Sequence, residues 1–383
     1  MALSSPEEAA KRLRAASPVV DVLGEAWVVG GAVRDALLGR PAGRDLDVVD
    51  PVDGVARARD LQARLGGRLT VHDRFGTATL TGDGWSVDVA TARAERYPQP
   101  GALPEVTVPA PLTEDLLRRD FTVNALALRG NGELLPFPGA LEDLEARRLH
   151  VLHPRSFEDD PTRLYRLARY AARLGFDVDP ETEALARAAF AADAPGTAGP
   201  ARIGNEMLLL LGEDVEVVIA ALDLLAELSG PRYEVDPAVL RRAVALLPED
   251  RTQVPLLLAA VAGGVPEGWH VGNPGPVLDA AQDPDGLAEA MRAAERPSAL
   301  HALLRRRSPE AIALAGALGV EAVARRWFDE LSRVRLEIGG EDLIRAGVEP
   351  GPEMGRRLEA ALARKLDEGL EGRDAELAAA LEG

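Results

Sequence analysis

Apolar and polar positions alternate on a short period in the first quarter of the chain and on a helical period over most of the rest. Ala26 to Val29, Asp45 to Val49, Gly76 to Thr81 and Trp85 to Val89 read as strands, and Ala32 to Leu38 and Val55 to Leu65 as the helices between them. Ser5-Pro6-Glu7-Glu8 has the form of a capping box, with Ser5 as N-cap, Pro6 at the first helical position and Glu8 closing the box. A helix is expected from there to about Ala16. Arg93 to Pro111 holds Pro98, Pro100, Pro104 and Pro109, which predicts an extended loop without regular structure. After Leu141 nearly every segment reads as helix, interrupted near Asp193 to Pro200, Gly230 to Pro237, Gly263 to Pro276 and Pro350 to Pro352. The pattern predicts an α+β protein: a head with a small mixed sheet, then a long all-helical remainder.

Composition sharpens this picture. A chain of 383 residues exceeds one compact core, so two to four domains are expected. With 46% apolar and 28% charged residues it has the balance of a folded soluble protein, and only 4% aromatics among many Ala, Leu and Arg favours packed helices. The absence of cysteine excludes a disulfide framework, a zinc finger and a thiol nucleophile. The segment Met1 to Ser17 is charged where a signal peptide is apolar, and no run reaches the ~18 apolar residues of a membrane span. No membrane partner is therefore expected, and the cytoplasm is the expected location. A net charge of −18 opposes general affinity for nucleic acid. Screening confines that repulsion to roughly 8 Å at physiological salt, so a local basic surface can still bind RNA.

Such a surface is legible. From Arg147 to Arg173 seven arginines stand against Glu158, Asp159 and Asp160. Arg163, Arg166, Arg169 and Arg173 fall within one face of a helix about 120° wide, with Leu164, Leu167, Ala171 and Leu174 opposite. That face is where phosphate could bind. An exposed, salt-bridged helix face would give the same pattern.

Two further segments carry chemistry. Trp27-Val28-Val29 feeds Gly30-Gly31, and a helix begins just beyond, an arrangement that lets backbone amides approach a triphosphate. An isolated Gly-Gly is more often a tight turn, and neither a P-loop nor a Rossmann fingerprint is present. Asp45 and Asp47, two apart on a strand, share one face and suit Mg²⁺, and Asp88 on a later strand is a third acid that could join them. Two metal ions ~3.5–4 Å apart could then activate a hydroxyl and stabilise a leaving pyrophosphate. In Arg118 to Ala125, Asp120 can start a helix that packs Phe121, Val123 and Leu126 inward. The functional reading gives Arg119, Asp120 and Asn124 to the ribose and phosphates of a nucleotide. Near the arginine face, an accepting carboxylate beside a donating guanidinium would match cytosine and adenine and mismatch uracil and guanine.

Gly30-Gly31-x-x-Arg34-Asp35-x-x-Leu38-Gly39 with Asp45-x-Asp47, then Arg118-Arg119-Asp120-Phe121-Thr122-x-Asn124-Ala125, then Asp159-Asp160-x-x-Arg163 resemble in order and spacing the motifs of class II tRNA nucleotidyltransferases and bacterial poly(A) polymerases. Arg202 to Glu206 is similar to a later Arg-x-x-x-Glu element of that family, and Gly340 to Gly372 resembles its tail. The resemblance implies a seahorse-like protein: a polymerase-β-like, five-stranded catalytic head over 1–139, a neck over 140–210 that binds nucleobase and RNA, a helical body over 211–330 and a tRNA-binding tail over 331–383. It implies template-independent transfer of nucleotides from ATP, with CTP a further candidate, to the 3′ end of tRNA with release of pyrophosphate. By carry-over Asp45 and Asp47 would bind Mg²⁺. Gly30, Gly31 and Arg34 would hold the triphosphate, Arg119, Asp120 and Asn124 would contact the nucleotide, and Asp160 with Arg163 would read its base. Arg166 would join the nucleotide site, Arg169 and Arg173 would meet RNA, and no DNA partner is expected.

The loop Tyr97-Pro98-Gln99-Pro100-Gly101-Ala102-Leu103-Pro104-Glu105-Val106 lacks the Arg-Arg-Pro element usual in full CCA-adding members. With Val151-Leu152-His153 and Ser156-Phe157, it looks more like A-adding members than full CCA-adding or CC-adding ones. Poly(A) polymerases usually have a basic tail, whereas Glu337 to Gly383 carries twelve acids against six bases. An inactive RNA-binding protein is the alternative of another class, and intact Asp45, Asp47 and Arg119 speak against it. His150 and His153, spaced by three, lack a third ligand for a metal.

Overall fold

The computed structural model describes residues 3–41, 43–72 and 76–382. The chain divides into two compact units, Met1–Glu206 with Leu224–Arg232, and Met207–Asp223 with Tyr233–Gly383. The strands of the first unit are β1 (Trp27–Val29), β2 (Asp45–Asp50), β3 (Arg68–His72), β4 (Thr77–Gly82), β5 (Trp85–Thr91), β6 (Ala94–Arg96), β7 (Glu105–Thr107), β8 (Leu126–Leu128), β9 (Leu134–Pro136), and the short parallel pair β10 (Arg148–Leu149) and β11 (Asp177–Val178). Its helices are α1 (Pro6–Ala16), α2 (Gly31–Leu37), α3 (Gly54–Leu65), α4 (Leu112–Leu117), α5 (Ala140–Ala146), α6 (Ser156–Asp159), α7 (Thr162–Leu174), α8 (Pro180–Ala191) and α9 (Ala194–Thr197), and α10 (Pro200–Leu211) begins in it. As the capping pattern predicts, Ser5 Oγ accepts the Glu8 amide at the start of α1.

One sheet runs β3-β4-β5-β2-β1-β8-β9, with β2 and β5 parallel and every other pair antiparallel. The parallel pair requires a crossover, and α3, lying across β4 and β5, supplies part of it. Leu46, Val48, Val87 and Val89 alternate with Asp45, Asp47 and Asp88, so one face is buried and the other carries the acids. Farther along the acid face, Trp27, Val29 and Val49 form an apolar cluster with Leu116 of α4.

Three expectations need correction. The sheet has seven strands rather than five, because β8 pairs with β1 and β9 with β8; three-residue runs are too short for alternation to show. Arg93 to Pro111 is not wholly irregular: β6 and β7 pair across it, since the prolines lie at the tip and beyond, leaving both strands free of them. Nor does Asp120 start a long helix. Thr122–Asn124 makes a single 3₁₀ turn and the chain then enters β8, because the Asp120 carboxylate is engaged by the next amide and by other side chains.

In the second unit Pro237–Leu246, Val254–Ala262, Gly275–Ala281, Pro284–Ala293 and Glu321–Asp329 pack around Pro309–Ala317. Residues 310 to 317 of that central helix are all buried, as an almost wholly apolar helix requires. The last helices enclose a smaller core of Ile338, Leu343, Ala361, Ala379 and Ala380. Among the described residues no helix is long and apolar enough to cross a membrane.

The closest backbone approach behind the acid-bearing strands is at Gly54. A Cβ there would lie 2.4 Å from the Ala90 carbonyl carbon and 2.6 Å from the Thr91 nitrogen. Gly54→Ala is expected to destabilise the first unit by about 1–3 kcal/mol, the usual cost of overpacking. Urea unfolding followed through the Trp27 and Trp85 signals checks it; an unchanged midpoint would show that α3 can move away freely.

Candidate active site

The site grows from the register of three strands. β1 runs against β2 with Val29 opposite Asp47, so the turn after β1 emerges beside the acids. Asp45 and Asp47 share a face, and the parallel pairing of β2 with β5 sets Asp88 directly opposite Asp47. Thr79 Oγ1 donates to Asp88 Oδ1 at 2.6 Å. Asp47 is exposed as a residue, yet the protein gathered around its carboxyl raises it above the ordinary value; Arg119 opposes the rise and Asp88 adds to it. Among the described residues no three His, Cys, Asp or Glu side chains converge to hold a metal ion. Two carboxylates on one open strand face nevertheless suit a hard cation that completes its shell with water and phosphate oxygens.

At the turn, Gly30 takes φ 76° and its amide donates to Leu126 O at 3.0 Å, so that amide is not available to a phosphate. A Cβ on Gly30 would sit 2.9 Å from Arg119 Nη1. Glycine here admits a positive φ and lets a guanidinium lie against the turn. Arg119 Nη2 donates to Asp115 Oδ2 at 3.1 Å, while its Nε is buried without a partner. Burial pulls the Arg119 pKa down, with Asp115 opposing. Arg119 therefore brings positive charge to the Gly30 side of the turn, and Arg34 lies against Gly31.

Buried carboxylates hold the arginines in place. Asp115, 0% exposed, accepts Arg118 Nε and Nη2 at 3.0 and 2.9 Å as well as Arg119. Glu95, at the start of the β6–β7 hairpin, accepts Arg93 Nε at 2.9 Å, Arg118 Nη1 at 3.3 Å and the Tyr97 hydroxyl at 3.1 Å. Burial, aided by Glu95, pushes the Tyr97 phenol up to about 12. Asp120 accepts the Phe121 amide and Asn124 Nδ2, both at 2.9 Å, and Arg166 Nε and Nη2 at 2.9 and 2.6 Å. Burial disfavours its charge, but Arg166 and the Asn124 hydrogen bond outweigh that and hold the carboxyl below its usual range.

The arginine face of α7 is not a solvated face. Arg163 is 3% exposed and donates to Ser156 Oγ at 2.7 Å and Arg118 O at 2.7 Å. Asp160 Oδ1 accepts Thr162 Oγ1 at 2.6 Å and Arg202 Nη2 at 2.8 Å. One turn on along α10, Glu206 accepts Arg166 Nη1 at 3.3 Å and lies 3.4 Å from Arg169 Nη2. Arg202 also donates to Gly101 O at 2.7 Å, tying the loop tip to the same helix.

Together these groups line a cleft of about 310 Å³ bounded by Gly30, Gly31, Asp47, Arg119, Asn124, Asp160 and Arg163, among others. A second hollow of about 500 Å³ meets it at Asp47 and Arg119 and extends past Asp88 and Thr79. Asp45, on the same strand face as Asp47, lines neither hollow, and three expected arginines also stand elsewhere. Arg34 is buried behind the turn, held by Asp35 at 2.9 and 3.0 Å and by Asn124 Oδ1 at 2.6 Å, so it braces Asn124 rather than facing the cleft. Arg169 is 8% exposed and turned towards Glu206, and Arg173 is exposed on the last turn of α7. Sequence reasoning missed Asp115, Glu95 and Tyr170. Asp115 was legible, three and four residues before Arg118 and Arg119, which follow directly on the end of its helix; the other two carry no local signal.

Residues 26–150 match the family model described as the poly A polymerase head domain. An A-adding tRNA nucleotidyltransferase of Aquifex aeolicus is 42% identical over 193 residues, 49% of this chain and 23% of that protein, so the chain matches less than a quarter of it. A CC-adding tRNA nucleotidyltransferase of Deinococcus radiodurans is 38% identical over 356 residues, 87% of this chain and 83% of that protein. A solved structure of a CCA-adding enzyme, apo form II, superposes with a TM-score of 0.80 at 26% identity, covering 97% of this chain and 95% of that one.

The Asp120 network has a pH signature. Its folded carboxyl lies below the unfolded value of about 3.9, so its contribution is present above that pH and is lost as pH falls through the folded value. Asp120→Asn should flatten the acid limb of a stability-versus-pH curve; an unchanged limb would mean that Arg166 gives the carboxylate no advantage in the folded state.

Proposed function

We propose that this chain, which belongs to the tRNA nucleotidyltransferase family, transfers a nucleotide to the 3′ end of tRNA as part of building the CCA terminus. The terminal hydroxyl attacks the α-phosphorus of a nucleoside triphosphate; one P–O bond forms, the α–β bond breaks, and pyrophosphate leaves. The observation that carries this reading is the meeting of Asp47 and the Arg119 guanidinium, with its unpartnered Nε, beside the Gly30 turn, with Asp45 two residues before Asp47 on the same strand face. Mg²⁺ held by Asp45 and Asp47 would favour ionisation of the attacking hydroxyl and offset charge on the leaving group. Arg119 stabilises the phosphates, and Asp88, steadied by Thr79, adds negative charge next to Asp47. Asp160 and Arg163, on the cleft wall, supply the acceptor and donor that suit adenine or cytosine.

The loop from Tyr97 to Val106 favours addition of AMP to a tRNA that already ends in CC, with ATP as donor. Likeness to the Deinococcus CC-adding protein over most of both chains favours a second reading, in which CTP is the donor. Purified protein offered tRNAs ending before CCA, after C and after CC, with ATP or CTP separately, decides between them. AMP incorporated only into the last supports the A-adding reading; CMP incorporation overturns it.

Asp45→Ala should lower nucleotide transfer by about a thousandfold, the scale of removing a group that stabilises transition-state charge, while tRNA affinity by filter binding stays unchanged. Retained transfer in that variant would remove the carboxylate pair from the mechanism.

A further inference from the structure

One cleft residue outside the motifs stands among three guanidiniums. Tyr170 lies on α7 and lines the nucleotide cleft. Three guanidiniums surround its ring: Arg169 at 5.3 Å from the ring centre, and Arg34 and Arg166 each at 5.7 Å. Its edge is set by Phe121, whose ring is perpendicular at 6.1 Å, and its hydroxyl lies 3.4 Å from Arg166 Nη2. Burial raises the phenol's pKa, so the ring stays neutral among these charges.

Each of the three arginines is the back support of a different group. Arg34 fixes Asn124 Oδ1, Arg166 fixes Asp120, and Arg169 faces Glu206, which also accepts Arg166. Three cations around one centre repel one another; Glu206 offsets this between Arg166 and Arg169, while Arg34 is held by Asp35. An aromatic ring is the neutral filler that also attracts cations to its π-system, so it sets their separation while lowering the cost of their proximity. An aliphatic side chain would fill part of the volume and provide no such attraction.

We infer that Tyr170 is a positioning residue for the nucleotide site, its ring acting as the spacer that holds Arg34, Arg166 and Arg169 where they orient Asn124 and Asp120. The inference rests on the proposed nucleotide-binding role of the cleft. It assigns the work to the ring and not to the hydroxyl: Tyr170→Phe keeps the spacer, whereas Tyr170→Leu removes it.

The test is equilibrium binding of ATP to the full chain, read beside steady-state transfer and thermal unfolding. Tyr170→Phe should bind ATP within about twofold of the parent. Tyr170→Leu should bind at least tenfold more weakly, with KM for ATP raised by the same factor and KM for tRNA unchanged. If Tyr170→Leu does not fold, Tyr170→Met, of similar length and without a π-face, carries the same expectation. ATP affinity in a folded aliphatic variant equal to that of the parent, or a loss in Tyr170→Phe as large as in Tyr170→Leu, would overturn the inference. A parent chain that binds ATP but transfers nothing to any tRNA would sink the proposed reaction while leaving this inference standing, because binding alone reads it.

Discussion

Like charges brought together out of water repel strongly, and that constraint organises the first unit. Arg93, Arg118, Arg119, Arg163 and Arg166 all line one cleft, where their mutual repulsion must be countered for the unit to fold. The fold meets the difficulty with carboxylates. Asp115, Glu95, Asp120 and Glu206 each receive one or more guanidiniums, and they come from α4, β6, the 3₁₀ turn region and α10. Elements far apart in sequence are thus held together by the same interactions that keep the cleft positive.

At the cleft, arginine suits this arrangement better than lysine would. The chain has 44 basic residues but lysine only at 11 and 365. A planar fork can donate to a carboxylate with one edge and present another edge to a ligand, which a compact ammonium does less well. Arg119 shows the arrangement directly, with Nη2 on Asp115 and Nε without a partner.

Much of this was legible in the chain before folding. The period of two placed Asp45 and Asp47 on one face, and the order of the motifs gathered Arg119, Asp120, Asn124, Asp160 and Arg163 at one place. What escaped was of three kinds. Strands of three residues, such as Leu126–Leu128, are too short to show a period. Helical spacing put four arginines on one face of α7 but could not say that Asp120 and Glu206, from other elements, would cover it. Arg34 lay in a motif that pointed to phosphate, yet its neighbour Asp35 and the distant Asn124 claim its donors. Side-chain partners separated by about ninety residues are set by tertiary packing, which no local pattern contains.

The parallel pairing of β2 with β5 carries a consequence for how this unit can change over time. The two strands meet residue by residue, with acids and valines on alternating sides. Replacing one side chain leaves the alternation intact, but deleting or inserting a single residue within either strand would rotate everything beyond it by half a turn, turning carboxylates into the oily layer and aliphatics into water. Such strands can drift in spelling but hardly in length, so variation in length is confined to the connections between them.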